Sequence, residues 1–248
     1  GAMQTRDPDR RVRVAKHGNR SRTGRGSADV LSELGVNIDA TPEAQSRCLE
    51  AAGVCFCFAI HHHPAVRHAG PARKAVAFST IFNLLGPLAN PAGARRQVIG
   101  VYASDLVDLM GGALASLGAE HAMVVHGHEG LDEFSTAGIS AVGELSAGHW
   151  RRWSLDVTTL GARPELAPAP AIAMVVRDVQ QSAARVAGVL AGDLGPARDI
   201  VALNAAAALC VGGGCVTLRE GVDLSRAAID SGRARQTLET LVRESRRT

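Results

Sequence analysis

Residues Gly53–Ile60 read GVCFCFAI and run straight into His61-His62-His63-Pro64. The run carries no charge and no polar alternation, and it has the length of a strand. A strand with one wet face alternates apolar and polar residues. An unbroken apolar run is expected of a strand covered on both faces, as in a parallel sheet. Downstream, Gln97–Ala103 (QVIGVYA) and His121–His126 (HAMVVH) have the same character, and Asp105–Leu117 between them reads as a helix. Strand, helix, strand and helix in that order require right-handed crossovers. The expected class is therefore α/β, with a mostly parallel central sheet flanked by helices. Ligands of such sheets bind beyond the carboxyl ends of the strands. The loops after Ile60 and after His126 are thereby gathered at one rim.

Toward the N-terminus from Gly53, residues Val14–Asp29 read VAKHGNRSRTGRGSAD. Val12–Ala15 suits one further short strand, and the polar residues after it cannot bury themselves. Lys16, His17, Asn19 and Arg20 surround Gly18, and Ser21, Arg22, Thr23, Gly24, Arg25, Gly26 and Ser27 come next. Backbone freedom, free N–H donors and positive charge at a strand end suit a loop that wraps a phosphorylated ligand. The spacing matches neither the Walker pattern nor the dinucleotide glycine fingerprint. A basic surface turn ahead of a helix fits it equally. Ser27 is expected to cap a helix over Ala28–Leu34 that Gly35 ends. Thr41-Pro42 opens a second helix that should run to about Ala52.

Further along, a short helix is expected at Ala65–His68, and Thr80–Leu85 should be helical until GPLANPAG breaks it. Ala141–Leu145 and Trp150–Leu155 read as a pair of edge strands. Three helices close the chain: about Val179–Leu190, Pro196–Val211 and Leu224–Arg246, the last with a break near Gly232. With 248 residues, 46% apolar and 3% aromatic, the chain can build a real core, chiefly of Ala, Val, Leu and Ile. A net charge of +3 suits anionic small ligands and does not demand nucleic acid. Five cysteines in apolar surroundings read as buried thiols of a reducing, cytoplasmic compartment. No apolar run is long enough to span a bilayer and no signal peptide is evident, so no membrane partner is expected. Gly1-Ala2 ahead of Met3 has the look of a cloning remnant, and residues 1–11 read as a polar, basic, disordered tail.

Several residue groups can carry chemistry. Asp132-Glu133 sits in the loop after the HAMVVH strand, and adjacent carboxylates suit a hard divalent cation bridging to phosphate oxygens. The same pair also suits an acidic helix start. His61-His62-His63 on extended backbone would point to alternate faces, so the three cannot share one ion. One is expected to face the pocket and two to turn elsewhere. Arg73 offers a guanidinium fork for a carboxylate. His17, next but one to Asn19, can orient an anion or a ring, or transfer a proton.

Taken together, these segments resemble the anthranilate phosphoribosyltransferase family. The matching stretches are VAKHGNR (Val14–Arg20), GSADVLSELGV (Gly26–Val36), HHPAVRHAGPAR (His62–Arg73), TIFNLLGPLANPAG (Thr80–Gly93), VVHGHEGLDEFS (Val124–Ser135) and GPARDIVALNAAAAL (Gly195–Leu209). They occur in the family's order over almost all of residues 12–245, and their joint occurrence is very specific. The resemblance implies a nucleoside phosphorylase/phosphoribosyltransferase-like fold. It implies transfer of the phosphoribosyl group of 5-phosphoribosyl 1-diphosphate to anthranilate with Mg²⁺, releasing pyrophosphate, in tryptophan biosynthesis. Carried over by position, His17 and Asn19 become the pair at the anthranilate and ribose side. Lys16, Arg20, Ser21 and Thr23 become phosphate or pyrophosphate neighbours, and Gly18 counts among the substrate-binding residues. Arg73 becomes the reader of the anthranilate carboxylate, His63-Pro64 the turn that frames the acceptor, and Asp132 and Glu133 the magnesium ligands.

Two departures shape the expectation. The family has a GTGGD-type pyrophosphate loop and several helices ahead of KHGNR, and these are expected to be missing. That leaves 12–248 as the catalytic domain, 27–52 as a remnant of a small helical domain, and weak activity or none for the chain alone. The Arg20–Gly26 loop is also shorter than the family pattern, with Arg22, Thr23 and Arg25 where serines are usual, which weakens the phosphate roles of Ser21 and Thr23. The alternative is an inactive homologue that binds nucleic acid or pairs with a separate N-terminal half; a homodimer is also open. The set His17, Asn19, Arg73, Asp132 and Glu133 argues against nucleic acid, because a pure phosphate binder needs none of it.

Overall fold

The computed structural model describes residues 12–20, 26–63, 81–161 and 166–247. Its strands lie in two sheets. β1 (Val14–Gly18) pairs in parallel with β2 (Val54–Phe58), with Lys16 opposite Phe56 and His17 opposite Cys57. β3 (Arg96–Gly100) pairs in parallel with β4 (His121–His126). β4 pairs antiparallel with β5 (Ile139–Ser146), which turns back on β6 (His149–Asp156). The α/β class is the expected one. Its parallel character belongs to the two crossover pairs, and the β5–β6 hairpin widens the larger sheet in the antiparallel sense. That hairpin turns on Ala147 and Gly148, with φ of +51° and +79°, the successive positive angles that a tight two-residue turn needs.

The helices are α1 (Ser27–Glu33), α2 (Pro42–Ala51), α3 (Ala59–His62), α4 (Phe82–Leu88), α5 (Leu106–Ser116), α6 (Val179–Ala191), α7 (Pro196–Gly212), α8 (Leu218–Asp230) and α9 (Arg233–Arg246). Several boundaries differ from the sequence expectation. β1 continues through Lys16, His17 and Gly18, which therefore stand on a strand and not in a loop. The apolar run GVCFCFAI is strand only to Phe58, after which the chain winds into α3, closed by the His63 N–H donating to the Ala59 carbonyl at 3.0 Å. α4 carries Gly86 and Pro87 in its last turn and stops at Leu88. The final helical stretch starts earlier, at Leu218, and the expected break falls at Gly232, whose φ is +74°. Gly26, not Ser27, is the N-cap of α1. Its N–H donates at 3.0 Å to the carboxylate of Asp29 in the first turn, an arrangement that also favours the helix dipole. Thr41 caps α2 as expected, its hydroxyl accepting from the Ala44 N–H at 3.3 Å, worth about 1 kcal/mol. Ala65–His68 lies outside the described residues.

The double coverage read from apolar strands is borne out on β4. Met123 and Val125 join the cluster formed with Ala202, Leu203 and Ala206 of α7 and Val222 of α8. Ala122 and Val124 join the opposite cluster with Val107, Met110 and Leu114 of α5. Alternate residues of one strand thus feed two cores. The small sheet builds a third, where Cys55 and Cys57 of β2 meet Cys48 of α2 and Leu241 of α9. Residues 27–52 are further tied to the C-terminal helix. Asn37 makes two hydrogen bonds to Ser245, and the Arg246 guanidinium donates to the Gly35 carbonyl at 2.6 Å. Asn90 links the sheets, its amide donating to the Ala15 carbonyl of β1 at 3.0 Å. No single helix among the described residues is long and apolar enough to cross a membrane.

Trp150 of β6 fills a slot floored by two glycines. A Cβ on Gly143 would lie 2.2 Å from its ring and one on Gly111 equally close, while the indole N–H donates to Asp108 at 3.0 Å. Gly143→Ala should therefore cost about 1–3 kcal/mol of stability through overpacking, read by denaturant unfolding. An unchanged unfolding midpoint would show that the slot has room to spare.

Candidate active site

The carboxyl ends of β1, β2 and β4 carry the expected site residues. Lys16, near the end of β1, keeps surface contact with water, yet its ammonium is partly walled off by protein. That desolvation lowers its pKa below the ordinary lysine value, and the charges of Asp132 and then Glu133 pull it back up. Glu133 shows the converse. Desolvation and the neighbouring Asp132 charge raise its pKa, and Lys16 lowers it. The cation of the small sheet and the carboxylates of the large one thus share one electrostatic site.

Close backbone approach brings the carboxylates there. After β4 a turn at His128–Gly130 holds Glu129 at a φ of +61°, a left-handed angle uncommon for a residue with a side chain. The chain then folds back over the strand ends. A Cβ on Gly100, the last residue of β3, would lie 1.5 Å from the Asp132 carbonyl oxygen, and one on Gly127 would lie 2.2 Å from that of Glu133. Only glycine fits at either position. The Gly127 N–H donates to the Leu131 carbonyl at 2.8 Å and closes the loop at its base.

His17 is held by its backbone neighbour. Nδ1 lies 2.9 Å from the Cys57 carbonyl oxygen, which can only accept, so Nδ1 carries the proton. Nε2 is then free to accept, and His63 Nε2 sits 3.1 Å away to donate. The two rings meet edge to face with centroids 5.0 Å apart. Burial lowers the His17 pKa, and the charges of His63, His62 and Lys16 lower it further against the Cys57 hydrogen bond, so the imidazole is neutral at pH 7. The other two histidines of the run turn away as expected, but they do so from a helical turn and not from extended backbone. His61 pairs with Asp39 at 2.7 Å, and His62 donates to the Gln45 side-chain oxygen at 3.1 Å.

Other candidates are placed less directly. Gly18 is a packing position, where a Cβ would meet the Ser27 hydroxyl at 3.0 Å and the Phe56 ring at 3.2 Å. The Asn19 side chain accepts from the Arg20 N–H at 2.8 Å. Arg20 is paired with Asp29 at 2.9 Å, lies over the Phe58 ring, and lines a polar groove of about 340 Å³ with Asn37, Asp39 and Arg246. That groove does not include Asp132 or Glu133. Lys16 therefore meets the carboxylates, and Arg20 faces a neighbouring hollow. Ser21, Thr23, Pro64 and Arg73 lie outside the described residues. Sequence reading missed the supports of the site: Gln45 and Asp39 behind the histidines, Gly100 beneath Asp132, and the asparagines Asn90 and Asn204. A polar residue inside the apolar helix segment IVALNAAAAL was the one available signal.

Comparison with known proteins places this arrangement. Residues 11–235 match the family model described as glycosyl transferase family, a/b domain. The chain is 49% identical over 233 residues to the anthranilate phosphoribosyltransferase of Phenylobacterium zucineum, covering 93% of this chain and 67% of that protein. It is 48% identical over 236 residues to that of Methanosphaerula palustris, covering 95% of this chain and 68% of the relative. The crystal structure of the Thermus thermophilus enzyme superposes with a TM-score of 0.86 at 41% identity, over 95% of this chain and 69% of that one. The Saccharomyces cerevisiae enzyme in complex with PRPP and Mg shares the fold at 24% identity and a TM-score of 0.81, over 94% of this chain and 65% of that one. The chain thus spans about two thirds of the length of these relatives.

The charge arrangement makes a signed prediction for the Glu133 titration. Lys16→Met removes a stabilising cation and should raise the Glu133 pKa further, whereas Asp132→Asn removes a repelling anion and should lower it. Carboxyl-carbon NMR titration reads both. Insensitivity to both substitutions would place Lys16 and the carboxylates in separate sites.

Proposed function

This chain belongs to the anthranilate phosphoribosyltransferase family, and on that premise we propose that it transfers the phosphoribosyl group of phosphoribosyl diphosphate to anthranilate and releases pyrophosphate. The observation that carries the reading is the glycine-floored loop that sets Asp132 and Glu133 over the strand ends, where their charges act on Lys16. The carboxylate pair fits Mg²⁺. Asp132 and Glu133 are adjacent and exposed; desolvation first and the Asp132 charge second raise the Glu133 pKa, and a divalent cation would relieve the repulsion. An ion held by two carboxylates keeps positions for water and phosphate oxygens, as magnesium prefers. When bound, Mg²⁺ supplies positive charge to the leaving diphosphate.

The chain's own groups do the rest. Lys16 offers a second, fixed positive charge to the pyrophosphate, in a partly desolvated setting where charge acts strongly. The anthranilate amine attacks the ribosyl C1, the bond from C1 to the diphosphate oxygen breaks, and the nitrogen loses a proton. His17, neutral and with its Nε2 accepting from His63, is placed to orient the acceptor, and it can take that proton once its Nε2 exchanges His63 for the amine. Asn19 stands with His17 on the acceptor side. Gly18 shapes the strand end, and Arg20, Ser21 and Thr23 belong to the phosphate side. Arg73 reads the anthranilate carboxylate with its guanidinium fork. Residues 12–248 form the catalytic unit, and the helices of 27–52 belong to a small helical domain. The setting is cytoplasmic.

Loss of anthranilate fluorescence in the presence of phosphoribosyl diphosphate and Mg²⁺ tests the proposal. Detectable turnover, however slow, is expected, and Asp132→Ala should lower kcat/KM by about 10²-fold or more. Turnover that survives Asp132→Ala would defeat the magnesium assignment. A folded wild-type chain that consumes no anthranilate would defeat the activity itself.

A further inference from the structure

We infer that Asn204 is a positioning residue for the carboxylate pair, holding Asp132 and Glu133 in place through the backbone of Phe134. The inference rests on reading that pair as the metal-holding carboxylates. Asn204 lies in the middle of α7, among Ala202, Leu203, Ala206 and Ala207, all fully buried. Asparagine is a poor residue for a helix interior, because its amide competes with the helix for hydrogen bonds. Here the amide is used completely by the loop and the helix. Oδ1 accepts from the Phe134 N–H at 2.9 Å, and Nδ2 donates to the Phe134 carbonyl at 3.0 Å and to the Ile200 carbonyl at 2.9 Å. One side chain thus grips both peptide groups of the residue after Glu133, much as a neighbouring strand would.

The rest of the loop makes that grip decisive. The Phe134 ring is fully buried in the core shared with α7. The Ser135 N–H donates to the Ser140 hydroxyl at 3.1 Å, and the Ser135 hydroxyl donates to the Ala137 carbonyl at 2.8 Å. On the other side Leu131 is tied to Gly127, and the Asp132 carbonyl rests against Gly100. Asp132 and Glu133 are the exposed residues between two pinned points. Outer groups that orient metal ligands typically change metal affinity by 10–100-fold when removed, and Asn204 acts in that capacity through the main chain.

The test compares the wild-type chain with Asn204→Leu, which removes all three hydrogen bonds, and Asn204→Asp, which keeps the acceptor and loses both donors. Arg198→Met serves as the control, because Arg198 fastens the same helix to Asp230 and to the Gly192 carbonyl without touching the loop. Two readouts are used: amide hydrogen exchange over residues 131–136, and Mn²⁺ affinity by electron paramagnetic resonance in the presence of pyrophosphate. Asn204→Leu should speed exchange and weaken Mn²⁺ binding, each by about tenfold or more, with Asn204→Asp between it and the wild type. Arg198→Met should lower the melting temperature and move neither. Wild-type exchange and affinity in folded Asn204→Leu overturn the inference, as does a control that reproduces both shifts. Asn204→Asp decides alone if Asn204→Leu does not fold. A wild-type chain whose Mn²⁺ binding is absent, or is indifferent to Asp132→Ala, defeats the metal reading, and the exchange measurement still decides whether Asn204 holds the loop.

Discussion

One electrostatic meeting governs the molecule: an ammonium from the small sheet set against two carboxylates from the large one. Neither partner is comfortable alone. Lys16 is desolvated and its pKa falls, and Glu133 is desolvated beside Asp132 and its pKa rises. The carboxylate charges raise the Lys16 pKa and the Lys16 charge lowers that of Glu133, so each partly offsets the desolvation of the other. A ligand carrying both a diphosphate and a divalent cation therefore suits these charges, because it adds an anion for Lys16 and a cation for the carboxylates.

That meeting depends on backbone proximity more than on side-chain reach. Gly100 and Gly127 let the loop's carbonyls lie where any Cβ would collide. Asn90 fastens β1 to the connection that leads into β3, and Asn204 fastens the far side of the carboxylate loop to α7. These are short, neutral contacts, each worth about 1 kcal/mol net. They matter through what they position: two charged groups whose interaction changes with every ångström of separation.

The histidine turn has a comparable support. His61 and His62 are held by Asp39 and Gln45, which leaves His63 to face His17. Asp39 and Gln45 belong to the segment 27–52, itself locked to α9 through Asn37 and Ser245. The C-terminal helix therefore reaches the site at two removes, through packing and neutral hydrogen bonds.

The sequence by itself determined the elements that rest on local rules. Unbroken apolar runs placed β2 and β4, Thr41-Pro42 placed the start of α2, and the motifs KHGNR and GLDE named the residues that would meet. The helical turn at Ala59–His62 is not legible there, because an apolar run does not say where strand becomes helix. The α1 cap is not legible either, because Asp29 satisfies Gly26 from within the helix. What only the tertiary structure decided is which charges act on one another. Lys16 joins Asp132 and Glu133, whereas Arg20, on the same stretch of chain, turns to Asp29 and a different groove. The reason is geometric. Composition fixes how many charges a loop carries, but their partners depend on where two separate sheets and a glycine-floored turn place the backbone.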